Sequence, residues 1–183
     1  VVDPPNAWGT QELIDSLVAA ATAVREQFPA AAPLRINHLG KRNGGYLRPH
    51  QSHQAGRDVD LGFFAKTLEG RPVRLRRFVR FDRLGRATDR SGLRLDLRRS
   101  WRLVEGILQS YHLGDRVEFI MVSREVKARL RAWATANGAG EDLKGRAARL
   151  MIVPDPHEGK HDDHFHVRLT CSESDRARGC RDY

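Results

Sequence analysis

The stretch HDDHFHVRL, residues 161–169, restricts the fold more than any other part of the 183-residue chain. Polar and apolar residues alternate along its second half, which predicts a β-strand with one buried face. On such a strand His164 and His166 point to one side, while Phe165 and Val167 point to the core on the other side. Two imidazoles on one face of a strand lie within reach of a single metal ion.

The residues just before this strand add polar groups to the same place. We expect His161 to lie close to the strand histidines, and Asp162 or Asp163 to orient an imidazole by accepting a hydrogen bond from its second ring nitrogen. A single histidine at a strand edge, however, is more often hydrated or hydrogen-bonded than bound to a metal. An H-x-H pattern is therefore weak evidence when it stands alone.

A second polar cluster, HQSHQAGRDVDLG, occupies residues 50–62. The alternation in RDVDLGFF predicts a strand that carries Asp60, and Gly56 allows the backbone to turn so that His53 lies in a loop above that strand. Asp58 shares a strand face with Asp60. It is therefore either a rival metal ligand or a residue that orients a ligand.

Both clusters offer imidazole nitrogen and carboxylate oxygen, which are ligands typical of zinc. Three protein ligands with one open position are typical of catalytic zinc, which makes hydroxide available from water near neutral pH. The clusters also hold more histidines than one zinc ion needs, and a histidine beside the metal can transfer a proton or stabilise an oxyanion. We therefore predict one Zn²⁺ ion in a site built from both clusters.

The periodicity along the chain predicts an α+β fold, with an antiparallel sheet and helices packed beside it. We expect a single domain over residues 1–183, in which the arginine-rich segment 70–102 is an insertion and 171–183 is a C-terminal tail. The expected helices are 10–28, 96–111 and 124–137, and the expected strands or extended segments are 34–39, 57–64, 116–122, 149–156 and 164–169.

The formal charge of +9 comes mostly from arginine and favours a polyanionic partner, such as a cell-wall polymer, a nucleic acid or an anionic membrane surface. Sparse aromatic residues and the lack of a standard motif argue against specific nucleic-acid binding. The apolar runs are too short for a transmembrane helix. The start, VVDPPNAWGT, has neither a Met nor a signal peptide, so we expect that an upstream segment has been removed. The sequence does not indicate an oligomeric state.

The chain has two cysteines, Cys171 and Cys180, separated by a short polar stretch. We predict a disulfide that closes this loop, which indicates an oxidising compartment. Two free thiols in a frayed tail are the alternative.

The strings SHQAGRDVDLGFF and HDDHFHVRLTC resemble the penicillin-insensitive murein endopeptidases. These enzymes belong to a wider group of zinc peptidases with lysostaphin-type enzymes, D-Ala-D-Ala peptidases and hedgehog-like domains. The shared pattern is a His, six residues, an Asp and a later H-x-H. The resemblance covers residues 34–172, and the chain departs from the family in its low cysteine content and its arginine-rich segment.

The resemblance implies that His53, Asp60 and His166 bind one zinc ion, that His164 is the catalytic histidine, and that His161 and His50 line the site. The implied reaction is hydrolysis of the amide between D-alanine and meso-diaminopimelate in peptidoglycan, in the periplasm or after secretion. The implied fold is a small hedgehog-like or D-Ala-D-Ala-peptidase-like α+β domain with a central antiparallel sheet flanked by helices.

Other functions are compatible with the same residues. One zinc site serves equally well in a D,D- or L,D-carboxypeptidase that trims wall peptides, or in a non-catalytic zinc-containing binding domain. A metal-dependent nucleic-acid enzyme would also fit the basic charge. The presence of His161 and His164 argues against a non-catalytic domain, because a structural zinc needs neither.

Overall fold

The structure, a computed structural model, describes residues 4–50, 52–110, 114–155, 157, 159–178 and 180. Within these residues the chain forms five α-helices and seven strands. The helices are α1 (Gln11–Gln27), α2 (Leu97–Gln109), α3 (Arg124–Ala136), α4 (Glu141–Leu150) and α5 (Glu173–Ala177). The strands are β1 (Asp58–Gly62), β2 (Ala65–Lys66), β3 (Pro72–Val73), β4 (Arg94–Leu95), β5 (Val117–Met121), β6 (Met151–Ile152) and β7 (His164–Leu169).

A four-stranded sheet in the order β1-β7-β5-β6 forms the centre of this α+β fold. Strand β7 pairs antiparallel with both β1 and β5, whereas β5 and β6 are parallel. The predicted antiparallel sheet is thus confirmed, with one parallel strand added at its edge. A second sheet, β3-β2-β4, lies in and beside the arginine-rich segment, whose last residues begin α2. That this segment is an insertion stays a prediction.

The hydrophobic core lies on one face of the central sheet. Phe165, Val167 and Leu169 of β7 are buried in it, as the strand alternation predicts. Helices α1 to α4 contribute to the same cluster with Leu13, Val104, Leu130 and Ala147, among other side chains. The other face of β7, which carries the histidines, is therefore left for the site.

The helix starts follow their capping residues. The side chains of Thr10 and Ser123 accept hydrogen bonds from the first turns of α1 and α3, as their positions in the sequence predict. Helix α4 was not predicted, because a glycine in its middle weakens the helical pattern. Helix α5 was not predicted either, although Ser172 and Asp175 form a capping box, a recognisable start signal.

Two predicted strands differ from the structure. The expected extended segment 149–156 is a strand only at β6, because α4 continues to Leu150. The strand predicted over residues 34–39 is wrong: only an isolated bridge joins Ile36 to Leu61. The segment nevertheless runs beside β1, since Asn37 N donates to Asp60 O over 3.0 Å.

The predicted disulfide is confirmed: Cys171 and Cys180 are bonded, with 6.0 Å between their Cα atoms. Helix α5 lies within the loop that they close. Within the described ranges, none of the helices is both long and apolar enough to cross a membrane.

Candidate metal centre

The pairing of β1 with β7 brings the two polar clusters together. In the antiparallel register Asp60 lies opposite His166, and Gly62 lies opposite His164. Residues that face each other across antiparallel strands project to the same side of the sheet. The carboxylate of Asp60 is therefore held beside both strand histidines, on the face away from the core.

His53 reaches this face from the loop before β1. Gly56 has a φ of +68°, a left-handed conformation that allows the backbone to turn between His53 and β1, as the sequence predicts. The His53 side chain is fully buried, and its Nδ1 donates a hydrogen bond to the carbonyl oxygen of Leu39 over 2.7 Å. Because a carbonyl oxygen only accepts, Nδ1 carries the proton and Nε2 offers its lone pair to the site.

Three donor atoms converge on one point. Asp60 Oδ1 lies 3.3 Å from His53 Nε2 and 3.2 Å from His166 Nδ1, and the two nitrogens are 3.3 Å apart. Zinc bonds of roughly 2.0–2.1 Å in a tetrahedral arrangement place neighbouring ligand atoms about 3.3 Å apart. Asp60 Oδ1 is buried and makes no hydrogen bond of good geometry within the described residues. The donor set, its spacing and this unsatisfied oxygen all fit a zinc ion.

The contacts among these groups also set their protonation. Burial opposes ionisation of Asp60, but the imidazoles of His166, His53 and His164 outweigh it and hold its pKa well below the usual value. Burial likewise opposes charging of His166, yet Asp58 and Asp60 raise its pKa to about 9. A cation bound at Nδ1 would replace the proton there, so metal binding is coupled to proton release.

Asp58 lies behind His166. Its Oδ1 is 3.0 Å from His166 Nε2, the nitrogen that faces away from Asp60, and it accepts a hydrogen bond from Arg168 Nε over 2.8 Å. Burial raises the pKa of Asp58, but His166 and Arg168 lower it to below its usual value. Of the two roles that the sequence left open, the geometry favours the one in which Asp58 orients His166 rather than binding a metal itself.

His164 stands at the edge of the same cluster. Its Nε2 is 3.5 Å from Asp60 Oδ1, and its Nδ1 is 2.5 Å from the carboxylate of Asp163. Asp163 thus lies where it can orient the imidazole of His164. Burial raises the pKa of Asp163, but the contact with His164 lowers it to below its usual value. His161 lies beside them, with its ring centroid 4.8 Å from that of His164.

His161 is set apart by its backbone and its pKa. It has a φ of +46°, which is uncommon outside glycine and is found preferentially at functional sites. Burial and the nearby His164 and His166 lower its pKa to about 4. The ring is therefore neutral at physiological pH.

His50 approaches the other oxygen of Asp60, with 3.7 Å between Nε2 and Oδ2. Burial and His53 lower its pKa to about 4. His38 and His50 also form a possible metal-binding group with Asp60. Their ring nitrogens are only 2.7 Å apart, which is a hydrogen-bond distance and shorter than two zinc ligands allow. The group of His53, Asp60 and His166 is therefore the better candidate for a metal site.

Several residues of the site were not predicted from the sequence. Arg168 could have been found, because it continues the alternation of His164 and His166 on the same face of β7. His38 and Phe78 gave no such signal: His38 lies in the segment 34–39, which was wrongly predicted as a strand, and Phe78 lies in the arginine-rich segment, which has no clear periodicity. Phe78 stacks on His164, with ring centroids 4.8 Å apart and planes at 16°.

A family model described as penicillin-insensitive murein endopeptidase matches residues 3–182, nearly the whole chain. No curated protein matches it.

Proposed function

Because the chain belongs to the family of penicillin-insensitive murein endopeptidases, we propose that it is a zinc-dependent enzyme that hydrolyses the amide between D-alanine and meso-diaminopimelate in peptidoglycan cross-links. Membership of the family makes it a hydrolase that cleaves peptidoglycan; the metal and the bond are our proposal. The observation that carries it is the spacing of His53 Nε2, Asp60 Oδ1 and His166 Nδ1. The family and the disulfide fit an extracytoplasmic location, and we propose the periplasm or the secreted fraction.

His53, Asp60 and His166 would hold the zinc ion. The chemistry that zinc supplies when bound is polarisation of the scissile carbonyl and acidification of a water molecule. The protein contributes fixed donor atoms: Leu39 O sets the tautomer of His53, and Asp58 sets that of His166. The ligands are thus oriented before the ion binds.

His164 is the proposed group for proton transfer. Asp163 accepts a hydrogen bond from Nδ1–H of His164, so Nε2 faces the site with its lone pair available. From this position Nε2 can take a proton from the attacking water and give it to the amine that leaves.

His161 is proposed to assist at the carbonyl oxygen. Being neutral, it can donate one hydrogen bond to that oxygen as negative charge develops there, without the cost of burying a cation. His50, beside Oδ2 of Asp60, has a supporting role in keeping that carboxylate in place.

The proposal is tested with cross-linked muropeptide dimers and purified sacculi. We expect cleavage that stops when zinc is removed by a chelator and returns when zinc is added back, and mass spectrometry should find the monomers released by a cut at the cross-link. Loss of a single terminal D-alanine would instead identify a carboxypeptidase. Cleavage that survives complete zinc removal would contradict the metal-dependent mechanism.

Asp58→Asn removes the negative charge beside His166, and we expect it to lower zinc affinity by about 10- to 100-fold, which is the usual effect of disturbing a partner that orients a metal ligand. Asparagine keeps an oxygen for Arg168, so the fold should be retained. Competition with a chromogenic chelator measures the affinity, and thermal unfolding of the zinc-free protein monitors the fold. An affinity as low as that of an Asp60 variant would make Asp58 a ligand instead.

A further inference from the structure

Three side chains, those of Arg35, Phe78 and His164, lie next to one another at the edge of the site. Arg35 O accepts a hydrogen bond from Gly62 N over 2.9 Å, and Gly62 lies opposite His164 in the pairing of β1 with β7. A Cβ atom on Gly62 would lie 3.2 Å from two ring carbons of Phe78 and 3.2 Å from Cβ of Arg35. Glycine at position 62 therefore makes room for the Phe78 ring on the face that carries His164.

Phe78 connects Arg35 to the proposed catalytic histidine. Its ring stacks on the imidazole of His164, and the guanidinium carbon of Arg35 is 5.7 Å from the Phe78 centroid, within cation–π range. Arg35 and His164 thus both contact the ring of Phe78. A ligand that is held at His164 and extends along this ring would meet the guanidinium.

Arg35 differs from the other arginines around the site in having no acidic partner among the residues that the structure describes. Arg168 pairs with Asp58, and Arg80 pairs with Asp162 at 3.5 Å. Arg35 has no ion pair within the described ranges, and its Nε is buried without a hydrogen-bond partner there. Burial also lowers its pKa from the usual value for arginine. A partly desolvated guanidinium without a carboxylate is well suited to bind one from a ligand.

The proposed substrate offers such a carboxylate next to the reacting bond. In a cross-link to meso-diaminopimelate, the carbon that bears the scissile amide nitrogen also bears a free carboxyl group. We propose that Arg35, resting on Phe78, binds this carboxylate and so selects wall peptides in which it is not amidated. This inference rests on the proposed function and adds a specificity-determining residue to it.

The test compares Arg35→Gln with the wild type on two muropeptide dimers, one with free diaminopimelate carboxylates and one with amidated carboxylates. Loss of a hydrogen-bonded ion pair is expected to raise KM for the free form by about 10- to 100-fold, with little change in kcat and little change for the amidated form. Arg35→Lys should keep part of the preference, because lysine keeps the charge but not the planar fork. Arg149→Gln, an exposed arginine on α4, is the matched control.

Calorimetry with the diaminopimelate-containing product peptide, free and amidated, gives a readout that does not depend on turnover. We expect the wild type to bind the free form more tightly and Arg35→Gln to lose that difference, with zinc content and thermal unfolding unchanged. Equal binding of both forms by the wild type, or a preference that Arg35→Gln keeps, would overturn the inference. A wild type that binds the free form selectively but cleaves neither dimer would contradict the proposed function and leave the role of Arg35 supported.

Discussion

Asp60→Asn is expected to lower zinc affinity by more than about 100-fold and to abolish measurable cleavage of muropeptide dimers, because even partners that only orient a ligand cost 10- to 100-fold. Asp60 supplies the only negative charge among the three proposed ligands, and its Oδ1 is the atom that the two imidazoles approach. Asparagine has nearly the same size, so the buried site should not collapse. Zinc content after dialysis and a competition titration measure the loss of binding.

The matched control for this change is Asp142→Asn, an exposed aspartate in the first turn of α4. It should bind zinc and cleave substrate as the wild type does. Thermal unfolding of both variants without zinc separates a lost ligand from a damaged fold. If Asp60→Asn kept one equivalent of zinc at unchanged affinity, the assignment of the metal to this carboxylate would be wrong.

The part of the site that the sequence predicts is the part that lies on regular strands. Alternation along β1 and β7 is enough to put Asp58 with Asp60, and His164 with His166, on common faces, and the structure has them there. The register that sets Asp60 opposite His166 cannot be read from either strand alone, because it depends on how two segments about a hundred residues apart pair. The family resemblance supplied that link before the structure did.

Residues outside regular strands were the harder ones to predict. Gly56 indicated the turn that brings His53 in, but the hydrogen bond to Leu39 that fixes its tautomer joins two loops. Phe78 and Arg35 come from an arginine-rich segment and from a segment wrongly predicted as a strand. Both side chains pack over Gly62, and this contact between distant segments cannot be predicted from the local alternation of polar and apolar residues.

His164→Ala is expected to lower kcat by about 10²- to 10⁴-fold, the usual contribution of a general acid or base, while one zinc ion per chain is retained. The imidazole is held by Asp163 on one side and by Phe78 on its ring face, and only Nε2 points to the site. KM should change little, since the proposed role is in proton transfer rather than in holding substrate. Steady-state kinetics and metal analysis of the same preparation test both statements.

The distance of 3.5 Å between His164 Nε2 and Asp60 Oδ1 also allows a different role, in which His164 is a fourth ligand that closes the site. The two roles predict opposite results for metal binding: a catalytic histidine leaves zinc affinity unchanged when it is removed, whereas a ligand does not. His157→Ala, an exposed histidine in the turn that precedes β7, controls for the loss of any imidazole nearby. Loss of zinc from His164→Ala but not from His157→Ala would make the centre a closed structural site, and the hydrolytic mechanism would then need another group to move the proton.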